Sequence, residues 1–292
     1  MANKEFLYLP REEYFYTGGF DFDSPAYVAE PSSTSKNTRI ICDSQRGIYL
    51  YQANCLELMD LIIEKHPNGC FDMIFADPPY FLSNGGITCK NGKMVSVNKG
   101  EWDKSNGIEL NHSFNLEWLK RCQQLLKPNG TIWVSGTMHI INSIGFAMQQ
   151  LGLKILNDIV WQKPNPPPNL ACRYFTHSTE IILWAAKSST SKHIFNYADM
   201  KSQNGNKQMK SVWTIAPPTA AEKKYGKHPT QKPTALLNRC IEASTNIGDF
   251  IFDPFSGSCT TGVAAIGLQR RFCGVELEDN YIDLANKRLN NI

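Results

Sequence analysis

Two spacings of apolar residues divide most of the chain. Short runs that alternate or stay apolar have the length and residue types of strands: Ile48 to Ala53, Phe71-Asp72-Met73-Ile74-Phe75, Thr131 to Ser135, Lys154 to Trp161, Glu180 to Ala186, Asp249 to Asp253 and Arg271 to Val275. Between them apolar residues return at helical spacing. Leu56, Met59 and Ile62 form one such stripe, and Leu116, Leu119, Cys122 and Leu126 a second. Ile144, Ala147, Met148 and Leu151 form a third, and Leu236, Leu237, Cys240 and Ile241 a fourth. Val263 to Leu268 and Tyr281 to Leu289 complete the set. Asn54 stands where it can cap the first helix and Ser113 where it can cap the second, while Pro128-Asn129-Gly130 and Gly152 read as stops. Strands alternating with helices from about residue 38 to 292 predict an α/β domain with a predominantly parallel sheet and helices on both faces.

The breaks in this pattern are as informative as the pattern. The strand ending at Phe75-Ala76 runs into Asp77-Pro78-Pro79-Tyr80, and two prolines cannot continue a central strand. The chain must leave the sheet there, which places Asp77 and Tyr80 at its carboxyl end, where open α/β sheets hold their ligands. Phe81 to about His112 is rich in glycine, asparagine and lysine, and a loop of that length inside a compact domain is usually functional or disordered. The proline-rich segment 164–169 separates two strands. Residues 187–227 turn polar, with lysines interleaved with Phe195, Tyr197, Trp213 and Tyr225, a composition suited to phosphate and base contacts. Residues 1–37 read as an appendage whose aromatic content argues against a fully solvated tail. Trp133, Trp161 and Trp184 fall in strand-like runs and are expected in the core.

Composition narrows the function classes. Of the 292 residues 42% are hydrophobic and 20% charged, as in soluble globular proteins, and the net charge of +3 neither demands nor discourages a polyanionic partner. Nine cysteines without a C-x-x-C pair, zinc spacing or preceding signal peptide fit a reduced cytoplasmic protein with no metal centre. No run of about 18 apolar residues is present to cross a membrane.

A second constellation lies near the other end. Asp249 to Asp253 leads into Pro254-Phe255-Ser256-Gly257-Ser258-Cys259-Thr260-Thr261, then a small-residue helix, a strand and Glu276, 23 positions after Asp253. Strand, glycine turn, helix, strand, carboxylate is the layout of a nucleoside-binding unit: the turn admits a ligand to the backbone, and the acid can bind ribose hydroxyls. Taken together, Asp-Pro-Pro-Tyr, Asp-Pro-Phe-Ser-Gly-Ser-Cys-Thr-Thr and His228-Pro229-Thr230-Gln231-Lys232-Pro233 resemble the motifs of the β group of amino-directed DNA methyltransferases, in that group's permuted order. The likeness covers about residues 40–292. Through Asp77 to Lys104 and Cys172 to Glu180, the chain is similar to the second GATC adenine methylases of Dpn-type restriction systems.

The resemblance implies a Rossmann-like fold and transfer of methyl from S-adenosylmethionine to the N6 of an adenine flipped out of DNA. Asp77, Pro78, Pro79 and Tyr80 would be catalytic, with the Asp77 carboxylate and the Pro78 carbonyl accepting the amine hydrogens and Tyr80 stacking on the base. Asn54, Cys55, Asp77, Thr230, Lys232, Asp253, Phe255, Ser256, Gly257, Ser258, Thr260 and Glu276 would line the cofactor site, Lys232 near the cofactor's carboxylate. Lys93, Lys99 and Lys104 in the loop after Tyr80, Arg173 and Tyr174 beside the proline-rich segment, and Lys207 and Lys210 in a target-recognition insertion at 187–227 would contact DNA. A homodimer and a companion restriction endonuclease are the partners implied beside DNA.

Two positions depart from the family. Asn54 stands where aspartate is common. Cys259 replaces a glycine, so it either sits at positive φ, at a cost of about 1 kcal/mol, or is the first helical residue, where a side chain is harmless; the second reading is favoured. Two alternatives stay open: an N4-cytosine methyltransferase, which uses the same chemistry, and a DNA-binding relative with impaired catalysis. The absence of a Pro-Cys pair argues against a cytosine-C5 enzyme.

Overall fold

A computed structural model describes residues 40–83, 87–90, 93–96, 100, 103–169 and 171–292. The appendage expected at 1–37 and Lys99 lie outside the described residues, and of Lys93 only the backbone is described.

The first strands and helix are β1 (Ile40–Asp43), β2 (Ile48–Gln52) and α1 (Cys55–Lys65). Asn54 caps α1 as expected, its Oδ1 accepting from the Leu56 amide at 2.9 Å. Then follow β3 (Phe71–Ala76), a hairpin of β4 (Ile87–Lys90) and β5 (Lys93–Ser96), α2 (Ile108–Leu125), β6 (Leu126–Gly136), α3 (Ile141–Gln150), β7 (Lys154–Gln162) and β8 (Thr179–Ala186). The remainder is α4 (Tyr197–Gln203), β9 (Val212–Thr214), α5 (Thr234–Ser244), β10 (Phe250–Asp253), α6 (Thr260–Gly267), β11 (Arg271–Glu276) and α7 (Asp279–Leu289).

Nine strands form one sheet in the order β1-β2-β11-β10-β3-β6-β8-β7-β9. Its centre, from β2 to β6, is parallel, while β8 runs antiparallel to both β6 and β7. The period-2 pattern assigns side chains to two cores. Ile74 and Ala76 of β3 join Met59, Ile62, Trp118 and Ile144 from α1, α2 and α3 on one face. Met73 and Phe75 join Leu237, Ile241, Ala264 and Ile282 from α5, α6 and α7 on the other. Trp133, Trp161 and Trp184 are buried, as expected.

This arrangement fixes where a ligand can bind. The crossover from β3 through α2 to β6 moves toward one edge, and that from β10 through α6 to β11 toward the other, with their helices on opposite faces. Right-handed crossovers leading away from a common centre have to part in this way, and a crevice opens between them at the carboxyl ends of the strands. Here the two central strands are β10 and β3.

Two expectations need correction. The stretch 81–112 is not all loop: it contains the β4–β5 hairpin and the first turn of α2. Ser113 is not a cap, because α2 starts at Ile108 after Gly107 at φ 102°, and the Ser113 hydroxyl donates back to the Glu109 carbonyl inside the helix. The segment 187–227, expected as a target-recognition insertion, is tied to the main sheet. It supplies the edge strand β9, parallel to β7, and buries Met200, Trp213 and Ile215, with the Trp161 indole donating to the Ile215 carbonyl at 2.8 Å.

Candidate active site

Asp77 emerges from β3 into a cleft of about 260 Å³ lined also by Asn54, Cys55, Pro78, Pro79, Tyr80, Thr230, Lys232 and the turn from Asp253 to Ser258. Both Asp77 oxygens are engaged. Oδ1 accepts from the Tyr80 hydroxyl at 2.7 Å and Oδ2 from Lys232 Nζ at 2.6 Å. The same ammonium donates to Tyr80 Oη at 3.0 Å, lies 5.3 Å from the Tyr80 ring centroid and is 3.5 Å from Glu180 Oε2. Glu180, at the head of β8, also accepts from Lys163 Nζ at 2.5 Å and from Ser135 Oγ at 3.5 Å. Carboxylates and ammoniums thus alternate along a buried line, Asp77, Lys232, Glu180, Lys163.

Charge states follow from this line. Burial raises the Asp77 carboxyl above its usual range; Lys232 lowers it in part, and Glu180 adds to the rise. Burial works to raise Glu180 as well, but Lys232 and Lys163 outweigh it and bring the group to about 2, so it stays ionised. Burial opposes the charge on Lys232, and Asp77 and Glu180 overcome that and leave its pKa raised. Lys232, expected near a cofactor carboxylate, lines the cleft with its ammonium engaged by Asp77 and Glu180.

The loop after the tetrapeptide is held by Asp103, which is buried. Its Oδ1 accepts from the amides of Tyr80 and Phe81, both at 2.8 Å, and its Oδ2 from the Leu82 amide at 3.3 Å and the Ser83 hydroxyl at 2.9 Å. Phe81 takes φ 56° there.

Across the cleft, the turn between β10 and α6 carries two left-handed residues, Gly257 at φ 51° and Cys259 at φ 58°. A Cβ at Gly257 would stand 3.0 Å from His228 Nε2, so conformation and space both call for glycine. Cys259 is therefore not the first helical residue. It caps α6 in the left-handed conformation, and its side chain is buried in the core on the α5–α6 side rather than in the cleft. The chain accepts this strain of about 1 kcal/mol because the turn must deliver Phe255 to Ser258 to the cleft and still start α6. Arg288 of α7 supports the turn, donating to the Ser258 carbonyl and to the hydroxyls of Ser258 and Thr260 at 3.0 and 2.9 Å. Phe255 is braced by Trp118 at 5.4 Å and Phe114 at 6.4 Å between ring centroids.

Asp253 accepts from the Phe255 amide at 2.9 Å and the Thr261 hydroxyl at 2.5 Å, and burial raises it to about 7. Glu276 accepts from the amides of Gly257, Leu277 and Glu278, each at 2.8 Å, and burial raises its pKa. Three of its roughly four acceptor positions are thereby used, so one ribose hydroxyl bond is open to it rather than two. Asn54 commits Oδ1 to the α1 cap, which leaves its amide NH2 for a ligand. Burial pushes the Cys55 thiol up to about 12 and keeps it neutral.

The DNA methylase family model N6_N4_Mtase matches residues 71–287, the span that carries both halves of this cleft. The chain belongs to that family. The methylase is 58% identical to the Type II methyltransferase M2.DpnII of Streptococcus pneumoniae over 75% of this chain and 82% of that protein. It is 51% identical to the Type II methyltransferase M2.MboI of Moraxella bovis over 85% of this chain and 89% of that protein. Among solved structures, the complex of M1.HpyAVI with SAM superposes with a TM-score of 0.64 at 31% identity, covering 83% of this chain and 99% of that one.

The cleft of the methylase brings together all four tetrapeptide residues and every residue expected at the cofactor site. The described residues expected at DNA lie outside the lining of this cleft. Arg173, Tyr174, Lys207 and Lys210 are exposed, as is Lys104 next to the buried Asp103. Sequence reasoning missed Glu180, Lys163, Asp103 and Arg288. Glu180 carried a signal, a lone acid at the head of an apolar strand.

Proposed function

We propose that this methylase transfers the methyl group of S-adenosylmethionine to the N6 of adenine in DNA, as the modification arm of a restriction system. The observation that carries this reading is the meeting of two halves: Asp77 at the end of β3 and the glycine turn at the end of β10 open into one cleft from adjacent strands.

The cofactor fits the residues present. The turn from Asp253 to Ser258 lines the cleft, one acceptor position of Glu276 suits a ribose hydroxyl, and Asp77 brings a carboxyl to the same cleft to face a sulfonium. S-adenosylmethionine, when bound, supplies an electrophilic methyl group. The protein's part is to raise the nucleophilicity of an amine whose lone pair is delocalised into the ring. Asp77 and the Pro78 carbonyl accept its two hydrogens, which favours a tetrahedral nitrogen, and Tyr80 offers a ring for the flipped base. Alignment then does most of the remaining catalysis. Asp77 uses two of its roughly four acceptor positions, for the Tyr80 hydroxyl and Lys232, so an incoming amine hydrogen can be accepted beside them.

An aspartate at the head of the tetrapeptide supports adenine over N4-cytosine, and an intact cleft supports an active enzyme over an impaired relative. We infer that the target is GATC-like, from the likeness to Dpn-type enzymes, and that the protein acts beside a restriction endonuclease and as a homodimer. No helix among the described residues is long and apolar enough to cross a membrane.

The test is incubation with labelled S-adenosylmethionine and genomic DNA, followed by nucleoside analysis. Label is expected in N6-methyladenine. Label in N4-methylcytosine, or no label with folded protein, refutes the reading.

A further inference from the structure

The strands β7 and β8 pair from Lys154 to Gln162, and the amide of Lys163 donates to the Ser178 carbonyl at 2.8 Å, closing the base of the loop 163–178. That base stands on the active site: Lys163 and Glu180, one on each side of it, bond each other at 2.5 Å, and Glu180 Oε2 lies 3.2 Å from the Tyr80 hydroxyl. The loop therefore rises from the rim of the cleft at the carboxyl edge of the sheet.

Its upper part is built, not slack. Asn169 grips it on both sides, Oδ1 accepting from the Ala171 amide at 3.0 Å and Nδ2 donating to the Tyr174 carbonyl at 2.6 Å, while Cys172 turns the chain at φ 52°. Three consecutive prolines, 166–168, stiffen the approach. At the top stands Phe175, 96% exposed, the most exposed large hydrophobic side chain among the described residues. Tyr174 beside it pairs with His177 at 5.5 Å between ring centroids, whereas Phe175 points into solvent. Five Cα steps separate it from Glu180, a reach of at most about 18 Å.

An enzyme that flips a base leaves a gap in the stack and must offset the lost stacking, and apolar side chains inserted between base steps are the means that does not depend on sequence. A solvated phenylalanine held by a braced loop at the rim of the target pocket, next to the cation Arg173, has the chemistry and place for that task. We propose that Phe175 enters the duplex and fills the space vacated by the flipped target base. This rests on the base-flipping methyltransferase reading above.

A wedge is needed only where there is a stack to open, so the test compares two DNAs. Wild type and Phe175→Ala are given labelled S-adenosylmethionine with native genomic DNA and with the same DNA heat-denatured. On native DNA the variant is expected to be about 10- to 100-fold slower, equivalent to about 1.4–2.8 kcal/mol, and on denatured DNA close to wild type. Phe175→Trp is expected to restore the rate on native DNA. Equal loss on both DNAs, or an undiminished rate on native DNA, overturns the proposal. No transfer by wild type to either DNA removes the underlying reading and the proposal with it. Should wild type act on native DNA alone, the fluorescence of duplex DNA with 2-aminopurine in place of adenine decides: a weaker rise with Phe175→Ala supports the wedge, and an equal rise overturns it.

Discussion

Lys232 touches two carboxylates, and Asp253 holds a proton near neutrality; together these residues set the charge of the cleft. The alternation of Asp77, Lys232, Glu180 and Lys163 sets one ammonium between two carboxylates, 2.6 Å from Asp77 and 3.5 Å from Glu180. Asp253 has a consequence for stability. Its carboxyl titrates near 7 in the folded protein and near 3.8 when solvated, so between those values the folded chain keeps a proton that the unfolded chain has lost. Stability from this group is present at low pH and declines as pH rises through the window. Thermal melting from pH 5 to 8 is expected to show a flatter profile for Asp253→Asn than for wild type; an identical slope would assign the dependence to other groups. Asp253, Gly257 and Glu276 were legible as neighbours of one cleft from their spacing together with the family resemblance, because a nucleoside-binding turn constrains its own length. Cys259 was not. One residue type cannot report whether the chain at that point is left-handed or already helical, and the structure has it left-handed with the side chain turned into the core.

Among the elements, the segment after β3 determines how the tetrapeptide is presented. Asp103 takes three consecutive amides, from Tyr80 to Leu82, on one buried carboxylate. Nothing periodic marks such a residue, since its partners are backbone groups; in the sequence it is one acid in a polar stretch. Replacing it with alanine leaves those amides without their acceptor, and Asp103→Ala is expected to lose about 3–5 kcal/mol of stability. Urea denaturation measures this, and a loss below about 1 kcal/mol would show that the loop is held by other contacts. Helix ends were read less well than helix faces. The stripe of α2 was visible at Leu119 and Cys122, yet its start was misplaced because the first turn carries exposed Ile108 and Leu110, which no burial pattern betrays. Strand β9 was hidden for the opposite reason: three residues in a lysine-rich stretch are too short for periodicity to show.

At the scale of the whole molecule, permutation explains why the functional residues lie so far apart in the chain. The sheet is wound outward from β10 and β3, so the first strand of one half and the last third of the chain meet at its centre. The alternation of strands and helices made the parallel core legible. The antiparallel β6-β8-β7 flank, which sets Glu180 beside Tyr80, requires pairing information that apolar spacing does not contain. In the proposed function the two halves have separable tasks, the β10 turn holding the methyl donor and Asp77 preparing the acceptor. Asp77→Ala tests it most directly, with methyl transfer to genomic DNA and S-adenosylmethionine binding by calorimetry measured on the same preparation. Transfer is expected to be abolished and binding retained to within about tenfold, or about 1.4 kcal/mol; transfer that persists, or binding that disappears with it, would rule out separate tasks.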